Sequence, residues 1–288
     1  MTVKPKRRWR YLQFSLATLL LVVTAAGLAL APWVNRVHFQ ERLIADVKRL
    51  GGSVTFEHEL SGAENPDGQP WLQAWIGDEY FRTVRGIHLE QQTLSGELLE
   101  RIAQLPEVTE LSLRQDKLTD DSLRPIGRMW KLKALRIGFN SITDKGLAHL
   151  AGLDELLLLD LCVTQVTDDG LRQLQSLPKL WRLELYGDEI TNRGAATLAE
   201  MPGLGGLDLA NTRITSVGLE PLTKLPKLIE LRLDQMVLGE GQELRISAIL
   251  ARIPNDIARS PQAIRLYDES ARHVAGALEV FQSPCSLV

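Results

Sequence analysis

Aliphatic residues return along most of this chain at a fixed interval. Val84, Val108, Leu132, Leu156, Leu180, Leu204 and Leu228 stand 24 residues apart, which marks six complete units and the start of a seventh. The register also holds within a unit: Leu159, Leu161, Val166, Leu171, Leu174 and Leu177 recur as Leu207, Leu209, Ile214, Leu219, Leu222 and Leu225. The opening stretch, Leu156 to Leu161, alternates with period two. It predicts a short strand with Leu159 and Leu161 on one side and Asp160 and Cys162 on the other. Thr119-Asp120, Thr143-Asp144, Thr167-Asp168 and Thr191-Asn192 then predict helix starts, with Thr capping backbone N–H groups and the acid suiting the helix dipole. Apolar residues three or four apart, such as Leu171, Leu174 and Leu177, face inward, and Pro178, Pro202 or Pro226 stops the helix. About seven buried aliphatic side chains at ~2 kcal/mol each do not offset the ordering of one unit at roughly 1.5 kcal/mol per residue. Stacked units must therefore share a core.

The pattern LxxLxLxxTxVTDxGLxxL at Leu156–Leu174 resembles the leucine-rich-repeat superfamily, and within it the cysteine-containing class found in F-box-associated proteins. The resemblance implies an α/β fold, a right-handed solenoid of 24-residue strand-turn-helix units. Two features depart from that class. No F-box stands ahead of the repeats, and the ladder position reads Gln92, Asp116, Asn140, Thr164, Asp188, Thr212 and Met236 instead of one residue type.

Ahead of the repeats, Tyr11 to Val34 carries no charge over 24 residues, about 36 Å as a helix against a hydrocarbon core of roughly 30 Å. Trp9, Tyr11 and Trp33 sit at its boundaries. Lys4, Lys6, Arg7, Arg8 and Arg10 precede it, which predicts a cytoplasmic N-terminus and extracytoplasmic repeats. A cleaved signal peptide is the alternative, with Ala29 and Ala31 as an A-x-A-like site. Beyond the span, Phe39, Leu43, Ile44, Val47 and Leu50 share a helical face, Gly51-Gly52 stops it, and Val54 and Phe56 alternate. Trp71, Leu72, Trp75, Ile76, Tyr80 and Phe81 are expected to complete this cap. After Gly239 the period fails, and Ile264, Tyr267, Ala271, Val274, Leu278 and Phe281 predict one more amphipathic helix. The expected division is a basic tail (1–10), a transmembrane helix (11–34), a juxtamembrane helix and cap (35–83), the repeats (84–239) and C-terminal cap helices (240–288). This layout is similar to that of bacterial single-pass repeat proteins.

Charge and chemistry narrow the function. The formal net charge is −3, and removing the +5 of the first ten residues leaves −3 − 5 = −8 for the rest, a poor match for nucleic acid. Only Cys162 and Cys285 are present, without metal-binding spacing. The five histidines fall in separate modules, and no GxSxG, HExxH or GxxxxGK[ST] motif occurs, so neither an enzyme nor a cofactor is expected. The face of the strands turned away from the core is the expected site. Its central column holds Arg136, Asp160, Glu184 and Asp208, and the next holds Cys162 and Tyr186. Phe139, Leu158, Val163 and Tyr186, beside Arg182 and the acids, form an expected hot spot for a protein or peptide partner, best a basic or amphipathic one. A self-associating envelope protein is the alternative function, with a ubiquitin-ligase-type adaptor or an enzyme behind it.

Overall fold

The computed structural model describes residues 16–60, 75, 77–233 and 264–265. Its centre is one nine-stranded sheet whose spatial order follows the chain. Strands β1 (Ser53–Phe56), β2 (Val84–Glu90), β3 (Glu110–Arg114), β4 (Ala134–Arg136) and β5 (Leu158–Asp160) lead into β6 (Arg182–Glu184), β7 (Gly206–Asp208), β8 (Glu230–Arg232) and β9 (Ile264–Arg265). From β2 to β8 neighbours run parallel at an offset of one repeat: Leu111 pairs with Leu135, Leu135 with Leu159, Leu159 with Leu183 and Leu183 with Leu207. The 24-residue period in the sequence is thus the sheet register itself.

Short helices α3 (Gly96–Ile102), α4 (Leu123–Ile126), α5 (Asp144–Leu147), α6 (Asp168–Leu174), α7 (Asn192–Leu198) and α8 (Ser216–Leu222) return the chain from each strand to the next. They follow α2 (Glu57–Leu60) in chain order. Leu159, Leu161, Val166, Leu171 and Leu174 of one repeat are buried with their equivalents in the others, forming a single continuous core. Each rung is too small to stand alone, and the stack shares the burial.

Threonine caps three of the helix starts: Thr143, Thr167 and Thr191 accept from the N–H groups of Lys145, Asp169 and Arg193. The neighbouring acid does more than meet the helix dipole. Asp144 accepts from Thr167 twice, N at 2.8 Å and Oγ1 at 2.7 Å, and so ties one repeat to the next. Asp120 holds Thr143 in the same way, and Asp168 holds Thr191. Gly170 makes room for this bracket, since a Cβ there would lie 2.3 Å from Asp144 Oδ1.

Helix α1 (Leu16–Arg49) is continuous, joining what the sequence presents as a span and a separate cap helix. It is long and apolar enough to cross a membrane by length and composition, and a signal sequence passes the same test. Leu43, Ile44 and Val47 are buried, and Phe39 and Leu50 pack on the core, as their spacing predicts. Antiparallel β1 covers the edge of β2. Two expectations change. Trp75 is 86% exposed and takes no part in the cap core. Ile264, expected in a helix, lies in β9, which pairs with β8 because the open sheet edge offers unused backbone groups. Trp71, Leu72, Ile76 and the expected helical residues from Tyr267 to Phe281 lie outside the described residues.

Candidate functional site

The strand face away from the core was expected to offer an open acidic column. Instead Asp160, Glu184 and Asp208 are buried, and so is Cys162. Alternation fixes the side on which a residue stands, but long side chains decide whether it meets water. Arg114 of β3 reaches across β4 to Asp160 of β5, with its Nε donating to Oδ2 at 2.6 Å and Nη2 in contact with the same oxygen. Gly138 lies beneath that reach, and a Cβ there would sit 2.9 Å from Asp160 Oδ1. The same oxygen accepts from Cys162 N at 2.9 Å.

A second arginine repeats the device three strands on. Arg182 of β6 crosses β7 at Gly206 and grips Glu230 of β8 through both terminal nitrogens, at 2.5 and 3.1 Å. Its Nε donates to Glu184 Oε1 at 2.8 Å. Burial works against the Arg182 cation, but Glu230 and Glu184 outweigh it and hold its pKa above the ordinary value. Arg232 lies 3.6 Å from Asp208 and 3.3 Å from Glu230. The acids are therefore consumed in an internal lattice of bidentate and bridging pairs and do not face a basic partner. Ligand atoms of Asp160, Cys162 and Glu184 lie within 4.8 Å of one another, close enough for a metal ion. Any cation there would compete with Arg114 and Arg182 for the same carboxylates.

Two rows flank this sealed centre. One follows the strand ends, where Gln91, Gln115, Phe139, Val163, Gly187 and Asn211 occupy the same repeat position, all with φ between 52° and 75°. Hydrogen bonds from Phe139 N to Cys162 O and from Val163 N to Tyr186 O, both 2.7 Å, extend the parallel ladder into this turn. The next residue then directs its side chain inward. Asn140 Oδ1 accepts from Asp116 N and Leu118 N, and its amide donates to the carbonyls of Leu113, Ile137 and Gly138. Glycine and asparagine suit this left-handed backbone, whereas a β-branched residue there is an outlier. Val163 is nonetheless 39% exposed to solvent.

The other row precedes the strands and was missed from sequence. Leu157, Trp181 and Ile229 are exposed at 24-residue steps, interrupted by Gly205, over which the Trp181 indole lies. The repeat period itself carried the signal, since apolar residues stand where Thr109 and Lys133 occur in earlier units. Of the remaining expected residues, Arg136, Phe139, Leu158, Arg182 and Tyr186 are half-buried.

No family model matches the chain, and none of the curated proteins compared with it does. Among solved structures, an internalin C2 from Listeria monocytogenes str. 4b F2365 is 25% identical, with a TM-score of 0.50, covering 66% of this chain and 74% of that one. An internalin (inlF) from the same strain is 24% identical, with a TM-score of 0.44, covering 57% and 45%. With internalin C2 as a structural neighbour and the register above, the chain is a leucine-rich-repeat protein with an α/β solenoid.

Proposed function

We propose that this chain is a membrane-anchored binding module, not an enzyme, whose protein or peptide partner lies along the strand-end row at Phe139, Val163 and Tyr186. The observation that carries the reading is Val163. A β-branched residue at φ 52° costs roughly 1–2 kcal/mol of backbone strain, while Gly187 and Asn211 meet the same turn without it. Nothing in the core is gained, because the Val163 side chain faces solvent. Phe139, at φ 59°, stands next to it in the row. Strain accepted at an exposed Val163 and a half-buried Phe139 fits a contact surface, and the half-buried Tyr186 ring adds the kind of anchor that dominates interfaces. Likeness to the internalin C2 repeat domain supports the same reading.

The anchor in this proposal is the exposed apolar half of α1, including Leu19, Leu20, Leu21, Val22 and Leu28. The Lys/Arg cluster at 4–10 favours a cytoplasmic N-terminus with the repeats outside. Affinity capture with the full chain in detergent, followed by titration of the captured partner, tests the surface. Phe139→Ala with Tyr186→Ala should weaken binding by roughly tenfold or more, as loss of anchor residues does. Unchanged affinity would move the site to the Leu157, Trp181 and Ile229 row.

A further inference from the structure

Where α1 leaves its apolar stretch, the solenoid closes over it and leaves a cleft of about 180 Å³ lined by Trp33, Arg36, Gln40, Tyr80, Arg82 and Glu107, among others. The Trp33 and Tyr80 rings meet at 5.1 Å between centroids, tilted by 41°. Gln40 Nε2 donates to Arg82 O at 3.0 Å and fixes the wall opposite the helix. Glu107 is already engaged by Lys131 at 2.7 Å and Arg85 at 3.2 Å. Arg85 also holds Glu57 at 2.7 Å. Arg36 and Arg82, by contrast, form no ion pair among the described residues, and Arg82 lies 5.6 Å from the Phe56 ring centroid. Among the described residues the cleft therefore presents two arginines outside any direct ion pair, Arg36 close enough to Glu107 for their charges to interact, beside a pair of amphipathic rings.

Depth along the helix says what fills it. Arg36 stands three residues past Trp33 and Gln40 seven, so about 4.5 and 10 Å further along the axis. The polar zone of one leaflet is roughly 5–8 Å thick, the layer in which Trp and Tyr rings settle. We propose that this cleft binds the headgroup of an anionic phospholipid, its phosphate between Arg36 and Arg82 and its acyl chains along the exposed Val22 and Leu30 side of α1, the helical face that continues Trp33 and Gln40. The proposal rests on the membrane-anchored reading above. It makes the solenoid a reader of the membrane surface next to its own anchor.

The test uses the full chain reconstituted in nanodiscs of equal phosphatidylcholine and phosphatidylglycerol, then extracted into detergent. Retained lipid is counted by native mass spectrometry, and carbonate extraction of native membranes is run alongside. Wild type should resist carbonate and retain phosphatidylglycerol over phosphatidylcholine. Arg36→Gln with Arg82→Gln should reduce that preference roughly tenfold, while Arg172→Gln, on α6, should leave it unchanged. Carbonate resistance without any lipid preference, or a preference that survives the double substitution, overturns the lipid site alone. Release of wild type by carbonate overturns the anchor reading and the lipid site together.

Discussion

Asp188 stands at the ladder position where Asn140 makes bonds in both directions, and it cannot match them. Its Oδ1 accepts from Thr164 N at 2.6 Å and Thr164 Oγ1 at 3.0 Å, but Oδ2 is buried with no partner. Burial pushes its pKa up to about 8 against the Thr164 donors, with the Asp160 charge adding to the rise. Asp116, at the same position three repeats earlier, is pushed up to about 7, again chiefly by burial. A folded-state pKa above the unfolded one means the neutral acid stabilises the fold. That contribution is complete below about pH 4, the unfolded carboxylate value, and is lost as pH rises through about 7 for Asp116 and 8 for Asp188. Wild type should therefore melt at a lower temperature at pH 9 than at pH 5. Asp188→Asn supplies the missing donor, so it should raise stability at pH 9 by about 1–3 kcal/mol and flatten the pH dependence. Thermal melts at the two values check this, and an equal shift at both would contradict it.

At the scale of the repeat, the Thr-Asp-x-Gly sequence is one device. Thr caps its own helix, Asp reaches back to it from the preceding repeat, and Gly leaves space for the carboxylate. Gly170→Ala would place a methyl group 2.3 Å from Asp144 Oδ1 and should destabilise the fold by about 1–3 kcal/mol, read as a lowered melting temperature. If Gly170→Ala melts as wild type does, the bracket is looser than its geometry implies. Strand, helix and rung positions were legible because period two and the 24-residue repeat mark them directly. The partner of Asp144 was not, because it lies in the following repeat and appears only when units are stacked. Burial of Asp160 and Glu184 was hidden for a related reason. Arg114 and Arg182 each cross an intervening glycine to a strand two repeats away, a relation that alternation along one strand does not encode. Leu161 and Leu209, whose burial needs only local alternation and stacking, lie where expected.

Across the whole molecule, one helix couples anchor and solenoid. Leu43, Ile44 and Val47 are buried in the cap on the same continuous α1 that exposes Leu28 and Leu30 further back. The sheet it supports has a sealed, internally paired centre between two rows that carry apolar side chains at Phe139 and Val163 on one side and Leu157, Trp181 and Ile229 on the other, so recognition falls to the edges. The strand-end row is distinguished by backbone strain at the exposed Val163, and this separates a functional account from a structural one. Val163→Asn is the direct test, measured as melting temperature and partner affinity on the same full-length protein. Asparagine accepts the left-handed turn, as Asn211 does in this row, and removes the exposed aliphatic surface. The account predicts a melting temperature above wild type, from relief of about 1 kcal/mol of strain, together with weaker partner binding. Higher stability with undiminished binding would contradict it.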